Sequence, residues 1–304
     1  MTRLHINEVA PRDGLQMESR FVPTHEKIAF VDALSDCGFA KIEVTSFTSA
    51  RAIPALADAE VVMREIRRVP GVTYTALVPN LRGMERAIES RVDELNLVMS
   101  YSESHNVANL RLDRAQSLAQ LLQVVREAGH GGVLCNVSLS CAFGCPFEGE
   151  VAVDEVARIA LALMAGGAAG ITLCDTTGMA DPLSVRRLLE RLRGALSVEA
   201  TTLHLHDTRG MALANALAAL EGGVTRFDAS CAGLGGCPYA PGASGNVNTE
   251  TLVHMFQCMG HATGIDLACL LRVAARVPAL VARALPNALL AAGPRDQLHP
   301  LPAS

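Results

Sequence analysis

GITLCDTTGMADPLSVRRLLERLRGALSVEATTLHLHDT, residues 170–208, contains one complete strand, helix and strand. Gly170 to Thr176 and Thr202 to Thr208 are short, β-branched and alternating. From Pro182 to Leu196 the apolar residues recur at helical spacing. Two parallel strands need a crossover connection of this kind. The same alternation runs outward through the chain. Strand patterns cover Ile6 to Ala10, Lys41 to Ser46, Thr73 to Pro79, Glu94 to Ser100, Leu134 to Ser140 and Arg226 to Ala232. Helical patterns cover Pro23 to Cys37, Pro54 to Arg68, Asp113 to Ala128, Val153 to Ala165 and Met211 to Glu221.

Eight strands in strict alternation with helices predict an α/β fold closed as a (β/α)8 TIM barrel. An open doubly wound sheet would use the same alternation. Its nucleotide-binding version needs a G-x-G-x-x-G or GxxxxGK[ST] loop, and the chain has neither. Further helical patterns at Thr249 to Met259 and Leu267 to Arg283 exceed what the eighth unit requires. One catalytic domain over residues 1–286 is expected, followed by a Gly- and Pro-rich, poorly ordered tail over 287–304.

Of the 304 residues, 50% are hydrophobic and 19% charged, enough apolar material for a sizeable core. A net charge of -5 with scattered basic residues argues against a nucleic-acid partner. Apolar runs such as Ile159 to Ala169 are too short and too interrupted by Gly to cross a membrane. Nine cysteines without a compact disulfide spacing suit reduced thiols. Met1-Thr-Arg-Leu4 runs directly into a strand pattern, so a cytoplasmic protein is expected.

Active sites of such barrels form at the C-terminal ends of the strands. Those ends are polar here: Arg12-Asp13, Glu43 with Ser46, Ser100 to His105, Asp175-Thr176, and His204-Leu-His206-Asp207. His204 and His206, two apart on a strand, point to one face. Spacing alone also allows one hydrogen-bonded core histidine and one surface histidine. Their position at the barrel mouth, where Asp13 and Asn246 converge, favours a chelate. Two imidazoles with hard oxygen donors suit Mg2+ or Mn2+. The rival zinc ligands, Cys141 with Cys145 and Cys231 with Cys237, lack paired CxxC spacing. Cys135 and Cys174, inside strands, read as small buried hydrophobes. Gly233 to Asn246 is glycine-dense and reads as a lid carrying Cys237, either an incidental loop thiol or a proton donor on closure.

At these segments the sequence resembles the 3-hydroxy-3-methylglutaryl-CoA lyase family. The resemblance rests on Val9-Ala-Pro-Arg-Asp-Gly-Leu-Gln16, Ile42-Glu-Val-Thr-Ser-Phe47, Ser140-Cys-Ala-Phe-Gly-Cys-Pro-Phe-Glu-Gly149, Leu173-Cys-Asp-Thr-Thr-Gly178, His204-Leu-His-Asp-Thr208, Ala232-Gly-Leu-Gly-Gly-Cys-Pro-Tyr-Ala240 and Gly242-Ala-Ser-Gly-Asn246. It implies a divalent cation on Asp13, His204, His206 and Asn246. It also implies catalytic roles for Arg12, Glu43, Asp175, His204 and Cys237, and substrate contacts from Arg12, Gln16, Ser46, Thr176 and Glu250. Where the family carries a lysine near the CoA phosphates, this chain reads Met17-Glu-Ser-Arg20, and Arg20 is the expected CoA contact.

The implied reaction is retro-Claisen cleavage of an acyl-CoA to acetyl-CoA and a keto acid, as in leucine degradation, by a homodimer. A histidine or a metal-bound water would serve as base and Cys237 as acid. Ser102 to Asn109 differs from the better-known lyases and lies where it shapes the acyl pocket. A related substrate such as citramalyl-CoA is therefore the alternative. A condensing synthase would carry a C-terminal regulatory domain, and an inactive barrel would have lost a ligand or the loop cysteine.

Overall fold

The computed structural model describes residues 3–236 and 245–298. Eight parallel strands close into a barrel: β1 (His5–Glu8), β2 (Lys41–Ser46), β3 (Thr73–Leu77), β4 (Glu94–Ser100), β5 (Leu134–Ser140), β6 (Gly170–Asp175), β7 (Thr201–Leu205) and β8 (Arg226–Ala229). Closure is made by β1 on β8, with His5 beside Arg226 and Glu8 beside Ala229. The open-sheet alternative is excluded.

The crossover helices are α1 (Thr24–Ser35), α2 (Ala59–Glu65), α3 (Leu81–Glu89), α4 (Glu103–Leu110), α5 (Arg114–His130), α6 (Val153–Ala165), α7 (Pro182–Leu192) and α8 (Ala212–Glu221). Four more follow the eighth strand: α9 (Thr249–Cys258), α10 (Leu267–Ala274), α11 (Val277–Leu280) and α12 (Ala288–Ala292). α12 falls in the stretch read as tail; it is capped by the Asn287 side chain and buries Leu289. No helix among the described residues is long and apolar enough to cross a membrane.

The two faces of the strands differ in kind. Ile42, Val44, Leu95, Leu97, Val137, Ile171, Leu203 and Phe227 are fully or almost fully buried and belong to the hydrophobic core. The alternating residues face the lumen, where Asn7, Glu43, Thr75, Asn96, Asn136, Thr172, Thr202 and Asp228 line a small internal cavity. Barrel interiors are more often filled by branched apolar side chains. Here the lumen is a hydrogen-bonded polar column instead. Asn96 donates to Glu43 at 2.7 Å, and Asn136 donates to Asn96 at 3.0 Å and to Thr172 at 2.9 Å.

The element ends depart from the sequence reading where local chemistry overrides periodicity. β1 stops at Glu8 because Ala10–Gly14 forms a wide helical turn, with the Val9 carbonyl accepting from the Asp13 amide at 2.7 Å. Ala232, at φ 59°, leaves the extended region beyond β8. The pattern over 54–68 resolves into a single turn at Pro54–Leu56 followed by α2. The pattern over 267–283 breaks between α10 and α11, where Pro278 lies in the first turn of α11. α3 and α4 lie outside the helical patterns read from the sequence, and their starts are set by the Asn80 and Ser102 side-chain caps.

Candidate metal centre and active site

The wide turn after β1 places Arg12 and Asp13 side by side over the lumen, both buried. Arg12 is held from below by Glu43, through Nε and Nη2 each at 2.6 Å from Oε2, and pairs laterally with Asp13. Glu43 is itself fixed by Asn96. The Asp13 carboxylate divides its oxygens: Oδ1 accepts from Arg12 and, at 3.1 Å, from Gln16. Oδ2 accepts from Asn246 Nδ2 at 2.7 Å and lies 3.8 Å from His204 Nε2.

His204 lies on β7, and His206 follows directly after it, bridged to Asn246. Their rings lie 5.3 Å apart. One ligand atom each from Asp13, His204 and His206 falls within a mutual 4.8 Å, and no other such group exists among the described residues. Asn246 Oδ1 and His206 Nδ1 are buried with no hydrogen-bond partner among the described residues. Buried lone pairs of this kind call for a partner, and a hard divalent cation supplies it; one carboxylate, two imidazoles and an amide oxygen fit such an ion. Among the described residues, which do not include Cys237, the cysteine alternative does not assemble. Cys145 bonds Ser102 and Cys231 bonds Glu250.

Electrostatics follow the same geometry. Burial raises the Asp13 pKa, but Arg12, the two histidines and the Asn246 hydrogen bond outweigh it and hold the group at about 2. Burial and the charge of His204 push His206 down to about 4, so its imidazole is neutral. For His204 burial is opposed by the Asp228 hydrogen bond and by the charges of Asp13 and Asp228, and the net direction is up. Burial raises Asp175 to about 6.

A cavity of about 330 Å3 opens over this cluster. Among its lining residues are Arg12, Asp13, Gln16, Thr176, His204 and His206. Cys174, expected as a plain core residue, also reaches it. His105 from α4 lines the same cavity, with Nδ1 2.5 Å from Ser100 Oγ.

Other expected contacts fall elsewhere. Ser46 is buried and turned to Thr48, 2.9 Å away, and Thr48 takes its place in the wall. Glu250 sits behind the site, accepting from the Ala232 amide at 2.8 Å and from Cys231 Sγ. Asp175 accepts from the Met179 and Ala180 amides and shapes the turn after β6. Arg20 is exposed and outside the cavity wall. Cys237 lies outside the described residues, as does most of the expected lid. Its described flanks show why glycine is needed. At Gly235 a Cβ would come within 2.6 Å of Asn246 Nδ2, and at Gly245 within 2.4 Å of the Gly233 carbonyl, both at positive φ.

Two acids that hold parts of the site together lie outside the residues picked from the sequence. Asp228, beside His204 in the β7–β8 register, receives the Nδ1 side of that ring at 3.3 Å and is steadied by Asn7 at 2.8 Å. The period-two alternation of Arg226-Phe-Asp-Ala229 next to a histidine strand is the signal that would have found it. Glu8, wholly buried, accepts from the Ala10 and Cys231 amides at 2.9 Å and from Thr249 at 3.0 Å. It thereby ties the turn bearing Arg12 and Asp13 to the segment after β8. Its only trace in the sequence is an acid at the end of the strand His5-Ile-Asn-Glu8.

The HMGL-like family profile matches residues 3–277. The chain belongs to the HMGL-like family. It is similar to hydroxymethylglutaryl-CoA lyase YngG of Bacillus subtilis (strain 168), 44% identical over 94% of this chain and 95% of the relative. It is also similar to the cytoplasmic 3-hydroxy-3-methylglutaryl-CoA lyase of Rattus norvegicus, 43% identical over 86% of this chain and 76% of that one. A solved HMG-CoA lyase from Acinetobacter baumannii, in complex with coenzyme A and 3-methylmalate, superposes with a TM-score of 0.95 at 46% identity, covering 99% of this chain and 100% of the other.

Asp228 backs His204 from outside the wall of the main cavity. Asp228→Ala is expected to weaken Mn2+ binding by about 10–100-fold in calorimetric titration; unchanged affinity would contradict the orienting role. Burial raises Glu8 to about 8 and Glu250 to about 7, against 4.5 for an ordinary glutamate. Between pH 4.5, the ordinary glutamate value, and the folded values of about 7 and about 8, the folded state therefore holds protons that the unfolded state has released, and stability falls as pH rises. Thermal unfolding of the metal-free protein should show this fall, and Glu250→Gln should flatten it; an equal fall in the variant would refute the assignment.

Proposed function

We propose that this protein is a divalent-metal-dependent hydroxymethylglutaryl-CoA lyase, cleaving 3-hydroxy-3-methylglutaryl-CoA to acetyl-CoA and acetoacetate. The observation that carries the reading is the buried Asp13, His204 and His206 cluster with the Arg12 guanidinium beside it at the cavity wall. Asp13, His204, His206 and Asn246 would hold the cation, Mg2+ or Mn2+. When bound, it supplies Lewis-acid charge that acidifies the tertiary hydroxyl of the substrate.

The protein's own groups account for the remaining requirements. A histidine of the cavity wall takes the hydroxyl proton, with Asp175, which burial raises to about 6, set behind the wall. As the C2–C3 bond breaks, its electron pair moves onto the thioester carbonyl as an enolate, and C3 becomes the ketone of acetoacetate. Arg12 faces that developing oxyanion, and Glu43 keeps its planar fork from turning away. Protonation at C2 completes acetyl-CoA, and Cys237 is the proposed donor. Gln16 and Thr176 contact the acyl group from the cavity wall, and Arg20 attends the CoA end. The catalytic barrel over residues 1–286, a cytoplasmic setting and a homodimer complete the reading.

The test is product release from hydroxymethylglutaryl-CoA and citramalyl-CoA with Mg2+ or Mn2+. Acetyl-CoA and acetoacetate from the first, abolished by chelator and restored by the ion, are expected. His206→Ala should remove turnover, to below about 1% of wild type, while leaving the unfolding transition intact. Turnover of citramalyl-CoA alone would shift the substrate, and full activity in chelator would overturn the metal assignment.

A further inference from the structure

Away from the cavity, two thiols meet that the reaction does not use. Cys37, directly after α1, has its Sγ 3.0 Å from the Sγ of Cys269 on α10, across 232 positions of sequence. Both backbones are held in place. The Asp266 amide donates to the Cys37 carbonyl at 2.9 Å, and the Asp266 side chain caps the Cys269 amide at 2.9 Å. At the neighbouring Gly38, φ +91°, a Cβ would come within 2.4 Å of the Gly264 carbonyl, so the two segments pack backbone to backbone.

The joint lies at the end of the barrel where β2 begins, opposite the mouth. The bridge from Arg3, ahead of β1, to Ala262 marks the same end. In barrels this face serves stability and not chemistry. Cys37 has no exposed surface, whereas Cys269 is partly exposed.

We propose that Cys37 and Cys269 are a redox modification site, forming a reversible disulfide that staples the C-terminal helices to the barrel when the protein meets a peroxide. The sulfurs need to close by about 1 Å to reach a bond of about 2.0 Å. Cys269 meets the oxidant first: its sulfur bonds one peroxide oxygen, the O–O bond breaks, and the other oxygen leaves as water with the thiol proton. Cys37 then attacks the Cys269 sulfur and displaces the hydroxyl, which departs as a second water with the Cys37 proton. Two thiols are oxidised to one disulfide, and one hydrogen peroxide is reduced to two waters. Burial pushes the Cys37 thiol up, so it stays protonated and is not itself the sulfur that the peroxide attacks. The 232-residue span makes the crosslink a strong constraint on the unfolded chain.

The experiment treats the full chain with hydrogen peroxide, alkylates the remaining thiols and maps the peptides by mass spectrometry. The expected product is one peptide pair joined through Cys37 and Cys269, reversed by dithiothreitol, with Tm raised by roughly 5–10 °C. Cys269→Ser, a change at a partly exposed position, should fold as wild type and lose both the crosslink and the rise in Tm. Cys37→Ala should lose the crosslink likewise. Full alkylation of both thiols after treatment, or crosslinking of either to another cysteine, would overturn the proposal. None of these readouts depends on the lyase reaction.

Discussion

The Asp13 carboxylate is the joint on which the site depends. Its two oxygens are divided between a cationic side, Arg12 and Gln16, and a ligand side, Asn246 and His204. Burying a carboxylate is costly unless it is paired and hydrogen-bonded. Here it draws its partners from the turn after β1, from the strand β7 and from the segment after β8. Parts of the chain far apart in sequence are thereby brought to one point. Arg12 in turn needs Glu43, and Glu43 needs Asn96, so the requirement for satisfied polar groups propagates down the lumen.

That propagation explains the unusual interior of this barrel. A lumen of branched apolar side chains would pack well but could not hold a guanidinium and three acids at its upper rim. The polar column carries the hydrogen bonds that keep Glu43 and Asp228 oriented, and the hydrophobic work is done on the outer face of the strands, against the helices. Glu8 performs the corresponding task at the β1–β8 seam, where one buried side chain accepts from both segments that frame the cluster.

The barrel was legible because periodicity is a local property: β2, β4 and β5 begin and end at the residues where their patterns do. Strand ends were less so, since the turn after Val9 and the positive φ at Ala232 arise from backbone hydrogen bonding that no hydropathy pattern records. Arg12, Asp13, His204 and His206 could be picked out as polar residues at strand ends. Asp228 and Glu8 could not be found by type alone, because their roles come from register and burial across the β1–β8 and β7–β8 seams. Ser46 and Glu250 stood at matched positions yet turn to neighbours instead of the cavity. The pairing of Cys37 with Cys269 spans most of the chain and has no local signature.

The central claim is that Asp13, His204, His206 and Asn246 form one divalent-cation site beside Arg12. Electron paramagnetic resonance of Mn2+ added to protein labelled with 15N at histidine tests it most directly. The account predicts one bound ion per chain with hyperfine coupling to two imidazole nitrogens, reduced to one nitrogen in the His206→Ala protein. Mn2+ binding with no imidazole coupling, or coupling that survives intact in His206→Ala, would contradict it.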